Sequence, residues 1–145
     1  MVVTFDFDDT LLWKRYERDE DGEIVEVVVD GPNPEGLALL KRAISDGHEV
    51  HIVTTRFERM RNDTTEWLMK WGVLGGIAGI HFTNGQLKRD TLASLVSRVH
   101  HDDDEEELEN LPPGCRGVQL FPHPSQTERF MESLLRRLVR ENIRK

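Results

Sequence analysis

A chain of 145 residues is long enough for one domain with a real core and too short for a second substantial one. A formal charge of −8 argues against a general nucleic-acid coat, and a single cysteine, Cys115, leaves no internal disulfide, which fits a reducing cytoplasm. No apolar run approaches the length of a membrane span or resembles a signal peptide, so no membrane role is expected.

The chain opens on Val2-Val3-Thr4-Phe5, a β-prone apolar run that reads as a strand buried on both faces. It delivers Asp6, Asp8 and Thr10 at its exit, and two carboxylates so spaced make a hard oxygen site suited to Mg²⁺. Asp-Gly at 21–22 lies between β-prone segments, which predicts a β-hairpin flap over residues 13 to 29. Trp13 and Tyr16 on that flap are read as packing, with stacking on a base as the alternative.

Gly31-Pro32-Asn33-Pro34 starts a helix carrying Leu37, Leu40 and Ile44, stopped at Gly47. Glu49 to Val53 predicts a second buried strand, ending in Thr54-Thr55-Arg56. A helix from about Arg59 to Trp71 and a third strand, Ile77 to Phe82, follow. Lys88 opens the next helix, Val96 to His101 is a fourth strand, and Asp102-Asp103-Asp104 sits at its exit. His100 and His101 are read as packing residues rather than metal ligands. A short acidic helix from Glu105, a fifth strand from Gly117 to Phe121, and a final helix complete the pattern. That last helix has Ser125-Gln126-Thr127-Glu128 as capping box and an apolar stripe of Phe130, Met131, Leu134, Leu135, Leu138 and Val139, read as core.

Strands alternating with helices in this way predict a single three-layer α/β domain with a mainly parallel five-stranded sheet and no large cap. Right-handed crossovers bring the exits of the first, second and fourth strands to one edge. Glu17 to Asp30 and Asp102 to Glu109 hold seven carboxylates each and are read as solvated surface. The basic stretches around Arg56 and in the last helix keep an anionic substrate open.

D-F-D-D-T-L resembles the D-x-D-x-T signature of the haloacid dehalogenase phosphatases, and the other three parts of that family's pattern have candidates in order. Thr54 matches the second, Lys88 the third, and Asp102 with Asp103 the fourth. The resemblance implies that Asp6 attacks phosphorus to form an aspartyl-phosphate, with Asp8 as general acid and base. It implies Mg²⁺ held by Asp6, the Asp8 backbone carbonyl, and Asp102 or Asp103, with Lys88 and Thr54 steadying the phosphoryl group and Thr10 tying down the loop. Many members of that family have Gly where Asp9 stands, and the triple Asp102 to Asp104 leaves the metal register open by one residue.

The run T-T-R-x(5)-N-D-T-T-E-W-L, from Thr54 to Leu68, is similar to a segment in the phosphatase module of phage polynucleotide kinases. That likeness implies phosphate contacts from Arg56, a substrate-side place for Thr55 and Thr10, and a nucleic-acid 3′-phosphate end as substrate. No G-x-x-x-x-G-K-[ST] loop occurs, so the kinase half is missing. A nucleotidase acting on free nucleoside monophosphates, a protein phosphatase, and a non-catalytic Mg²⁺- or phosphate-binding module are the alternatives.

Overall fold

A computed structural model of the chain describes residues 1–126 and 135–141. Through residue 126 the elements run β1 (Val2–Phe5), β2 (Leu12–Arg18), β3 (Ile24–Pro32), α1 (Pro34–Ser45), β4 (Glu49–Thr54), α2 (Arg61–Lys70), β5 (Ile77–Phe82), α3 (Arg89–Leu95), β6 (Ser97–Asp102), α4 (Glu105–Glu109) and β7 (Arg116–Gln119), and residues 135–141 are helical. Five of the strands form one parallel sheet in the order β5-β4-β1-β6-β7, flanked by helices. The fold is α/β and compatible with a Rossmann-like arrangement. Among the described residues no helix is long and apolar enough to cross a membrane.

β1 sits at the centre of the sheet, and both it and its neighbour β4 are buried on both faces. Val3, Phe5, Val50 and Ile52 lie in one apolar cluster with Phe7, Leu11, Leu40 and Leu68. From β1 the chain steps to β4 and β5 on one side, then returns to lay β6 and β7 on the other. The order therefore reverses between β1 and β6, and such a switch point leaves a crevice beyond the strand ends. Asp6 follows β1 and Asp102 ends β6 at that crevice.

β2 and β3 make a separate antiparallel hairpin, longer than the expected 13–29 because its pairing runs down to Leu12 and Pro32. Asp19 closes its tip by accepting the amides of Asp21 and Glu23. At its base the Asn33 side chain caps α1 by accepting from the amides of Glu35 and Gly36, while its own amide group donates to the carbonyls of Asp9 and Phe121. Gly36 then lies so close to the loop that a Cβ there would stand 1.9 Å from the Thr10 carbonyl oxygen. Gly36→Ala is expected to cost about 3 kcal/mol, the upper end of overpacking, read as a lower urea midpoint.

Four expectations shift. The helix after β4 begins at Arg61, preceded by a single 3₁₀ turn over Glu58–Met60. The fifth strand is Arg116–Gln119 rather than Gly117 to Phe121. Val96 is not in the fourth strand. It caps α3 in the left-handed region at φ 55°, with its side chain exposed. A β-branched residue is strained there, and Val96→Gly is expected to raise stability by about 1 kcal/mol, a melting temperature gain of about 3 °C.

The final apolar stripe is the fourth. Thr127, Glu128, Phe130, Met131 and Leu134 lie outside the described residues, and Ser125 and Gln126 form a 3₁₀ turn with Pro124. Leu135, Leu138 and Val139, expected in the core, are exposed. That stretch is tied to the domain by an Arg137–Glu105 ion pair instead.

Candidate functional site

The crevice at the β1–β6 switch point holds three buried charged side chains, Asp6, Lys88 and Asp102, with the half-buried Asp103 at its edge. The β1 ladder continues into the loop through the Asp6 amide, which donates to the His101 carbonyl at 2.8 Å. The Lys88 ammonium reaches across from the start of α3, 2.8 Å from Asp6 Oδ1 and 2.6 Å from Asp102 Oδ2. The Thr10 hydroxyl donates to Asp6 Oδ2 at 2.9 Å and lies 3.5 Å from Asp103 Oδ1. Lys88 is 2% exposed and Asp102 fully buried.

Asp6, Asp102 and Asp103 each present an oxygen within 4.8 Å of the others. Three carboxylates facing one ammonium leave negative charge uncompensated, and the acid–base balance reflects it. Burial and the Asp102 charge push Asp6 well above the usual carboxylate range. Burial, with the charges of Asp102 and Asp9, pushes Asp103 up to about 7, against a hydrogen bond with Asp6. Burial acts to raise Asp102 too, but the His100 hydrogen bond and the Lys88 charge hold it below the ordinary value. Lys88 is held above its ordinary range because Asp6 and Asp102 outweigh its burial. A hard, all-oxygen donor set with excess negative charge fits a divalent cation such as Mg²⁺. Asp104 does not join it. Its carboxylate caps α4 by accepting the Glu106 amide, which leaves Asp102 and Asp103 as the members of the acidic triple that face Asp6.

Asp8 stands apart from this cluster. Its carboxylate is gripped by the Arg56 fork, Nε to Oδ2 at 2.8 Å and Nη2 to Oδ1 at 2.9 Å, and by Lys14 Nζ at 2.7 Å from Oδ1. Burial works to raise Asp8, but those hydrogen bonds and charges win, and it is held below the usual carboxylate range. A side-chain place for Asp8 in the metal set is thus not what the structure brings together. Only its backbone carbonyl, the group the resemblance named, is left for that role.

Arg56 is not a surface arginine. Besides Asp8 it donates from Nη1 to Asp63 and Thr64, and its guanidinium lies 4.7 Å from the centre of the Phe7 ring. Thr54, fully buried at the end of β4, accepts the Arg56 amide at 3.1 Å. Thr55 is exposed, and its carbonyl accepts the Gly85 amide. Arg56 thereby links the β4 exit to Asp8 and to α2.

Asp9 occupies φ 64°, the left-handed conformation that explains why glycine suits this place, and it is buried rather than facing solvent. Gln126 donates to its Oδ1 at 3.0 Å and to the Lys14 carbonyl at 2.8 Å, so the residue fastens the loop to the hairpin. Trp13 packs, its indole donating to the Phe121 carbonyl and its ring meeting His123 edge-on at 5.1 Å.

The acidic patch after β6 is not all solvated surface, because Glu107 is buried and accepts the Lys88 amide at 3.0 Å. The signal was there: Glu107 is the third residue after the capping Asp104, where a helix turns a side chain back toward its own start. His100 is fully buried against Asp102 at 2.8 Å, and His101 stacks on Phe5 at 4.0 Å. Burial lowers His101 to about 4 and lowers His100 as well, the latter against the pull of Asp102. Lys14 was the other residue sequence reasoning passed over. Only the hairpin register points it inward. No protein-family model matches the chain, and a search among curated proteins finds no match.

Proposed function

We propose that this chain is a Mg²⁺-dependent phosphomonoester hydrolase of the haloacid dehalogenase type, acting on polynucleotide 3′-phosphate ends. The single observation that carries the reading is the convergence of buried Asp6, Lys88 and Asp102 with half-buried Asp103 at the β1–β6 switch point. A carboxylate nucleophile beside an ammonium and a cation-fitting acidic set is what transfer of a phosphoryl group to an aspartate requires.

Asp6 attacks phosphorus as the ester P–O bond breaks, and the leaving oxygen takes a proton. Water then attacks the aspartyl-phosphate, the P–O bond to Asp6 breaks, and inorganic phosphate leaves. In this reading Asp8 gives and takes those protons. Lys14 and Arg56 hold it as a carboxylate, the form that accepts a proton from water. A phosphate dianion competing for those two cations loosens their hold and raises the proton affinity of Asp8 for the first step. Lys88 and Thr10 orient Asp6 from its two oxygens. Mg²⁺, held by Asp6, Asp102 and Asp103, would supply the positive charge that lets an anion approach a carboxylate.

The test is phosphate release with Mg²⁺ from a 3′-phosphorylated oligonucleotide, nucleoside monophosphates and an aryl phosphate. Preference for the oligonucleotide supports end repair, and preference for mononucleotides turns the reading to a nucleotidase. No release from any of them, with Mg²⁺ still bound, replaces it with a binding module.

A further inference from the structure

Behind the acidic cluster runs a line of buried polar side chains that the proposed chemistry does not use. His100 lies on β6 with no exposed surface, and its Nε2 meets Asp102 Oδ2 at 2.8 Å. Its Nδ1 meets the Thr4 hydroxyl of β1 at 2.8 Å, and Thr4 meets the Ser97 hydroxyl at 2.8 Å. Facing a carboxylate, Nε2 carries the ring proton and donates, so Nδ1 accepts from Thr4. The imidazole is thus held at both nitrogens by groups on two different strands, and it cannot turn without breaking one of them.

The consequence falls on Asp102. Its Oδ2 accepts from both His100 and Lys88, whereas Oδ1 accepts the Asp104 amide at 3.0 Å. A carboxylate so fixed has one rotamer, and its remaining acceptor capacity lies on Oδ1. Lys88 alone would not enforce this, since the same ammonium also serves Asp6 on a flexible stem. We infer that His100 is a positioning residue for Asp102, fixed in its tautomer by Thr4, and that it presets the acidic cluster for a divalent cation. The inference rests on the reading of that cluster as a cation site. Groups that orient a metal ligand in this way are typically worth about 10- to 100-fold in metal affinity.

Mg²⁺ titration of the full chain by calorimetry, with melting temperatures taken in EDTA, decides it. His100→Leu is expected to weaken Mg²⁺ by about 10- to 100-fold, while His100→Gln, which restores an N–H toward Asp102, stays within about threefold of the unsubstituted chain. Should His100→Leu fail to fold, Thr4→Val removes only the hydroxyl that holds the ring and is expected to weaken Mg²⁺ by about three- to tenfold. Undiminished Mg²⁺ affinity in the folded His100→Leu chain, or in Thr4→Val where that chain does not fold, overturns the positioning role. Equal losses in His100→Leu and His100→Gln overturn it too, since packing alone would then account for them. Absence of Mg²⁺ binding in the unsubstituted chain sinks the cation-site reading itself and takes this inference with it.

Discussion

Asp6→Asn is expected to abolish phosphomonoester turnover, lowering kcat/KM by roughly four orders of magnitude or more, while raising the melting temperature of the metal-free chain. The amide is nearly isosteric but neutral, so it cannot attack phosphorus. It also removes one of three crowded carboxylates whose mutual repulsion and burial already hold Asp6 above its ordinary range. Lys88 keeps Asp102 as a partner at 2.6 Å, so the substitution does not strand a buried ammonium. The expected gain is about 2–4 °C. Loss of turnover with a higher melting temperature would mark a site that trades stability for chemistry. Retention of a tenth of the activity would place the nucleophile elsewhere, and a lower melting temperature would mean that the Lys88 attraction outweighs the repulsion.

Without divalent cation, stability is expected to fall as pH rises from about 6.5 to 8, above the range in which the lowered His100 and His101 pull the other way, and Mg²⁺ is expected to reverse the trend. The sign follows from the raised carboxylates. Asp103 titrates at about 7 when folded against an ordinary value of 3.8, and Asp6 is raised as well. The folded chain therefore binds more protons than the unfolded chain between those values. The stabilisation from this uptake is fully present below the ordinary carboxylate value and is lost as pH rises through about 7. A loss of a few kcal/mol is the upper scale, because the partly open edge around Asp103 screens it. Bound Mg²⁺ favours the ionised carboxylates, and at about a hundredfold excess over its Kd it adds about 2.7 kcal/mol. Urea midpoints at several pH values, in EDTA and in Mg²⁺, check this. Parallel curves in the two buffers would show that no cation meets these carboxylates.

The parts legible in the sequence are those that obey a local rule. Asp6 and Thr54 stand at the ends of apolar runs, so a buried parallel strand with a polar exit could be read at each, and Asp102 ends a mixed run that the alternation of strands and helices marks as a further strand. Lys88 announces itself as the start of a helix. What was not legible depends on registers and packing across the chain. Lys14 reaches Asp8 only because β2 leaves the site at one phase of its alternation, and the opposite phase would have aimed Arg15 there. The resemblance gives Arg56 a phosphate contact, but nothing local says that Asp8, Asp63 and Thr64 surround it. Asp9 was undecidable because its partner, Gln126, comes from 117 residues away. The stripe from Leu135 to Val139 shows the opposite failure, a helical period of apolar residues that the domain leaves exposed.

The central placement of β1 also sets an order of events for the growing chain. Its first partner, β4, arrives within the next fifty or so residues, but its other edge waits for β6, and Lys88 joins Asp6 across 82 residues. Closing so long a loop is entropically slow, and pairings of this range dominate the folding rate of α/β domains. The carboxylate of Asp6 thus spends the early life of the protein solvated and harmless. It is desolvated only when the strand carrying His100 and Asp102 docks with the lysine that compensates it. Assembly of the charged crevice, in such a chain, is a late and all-at-once event of folding rather than one accumulated piece by piece.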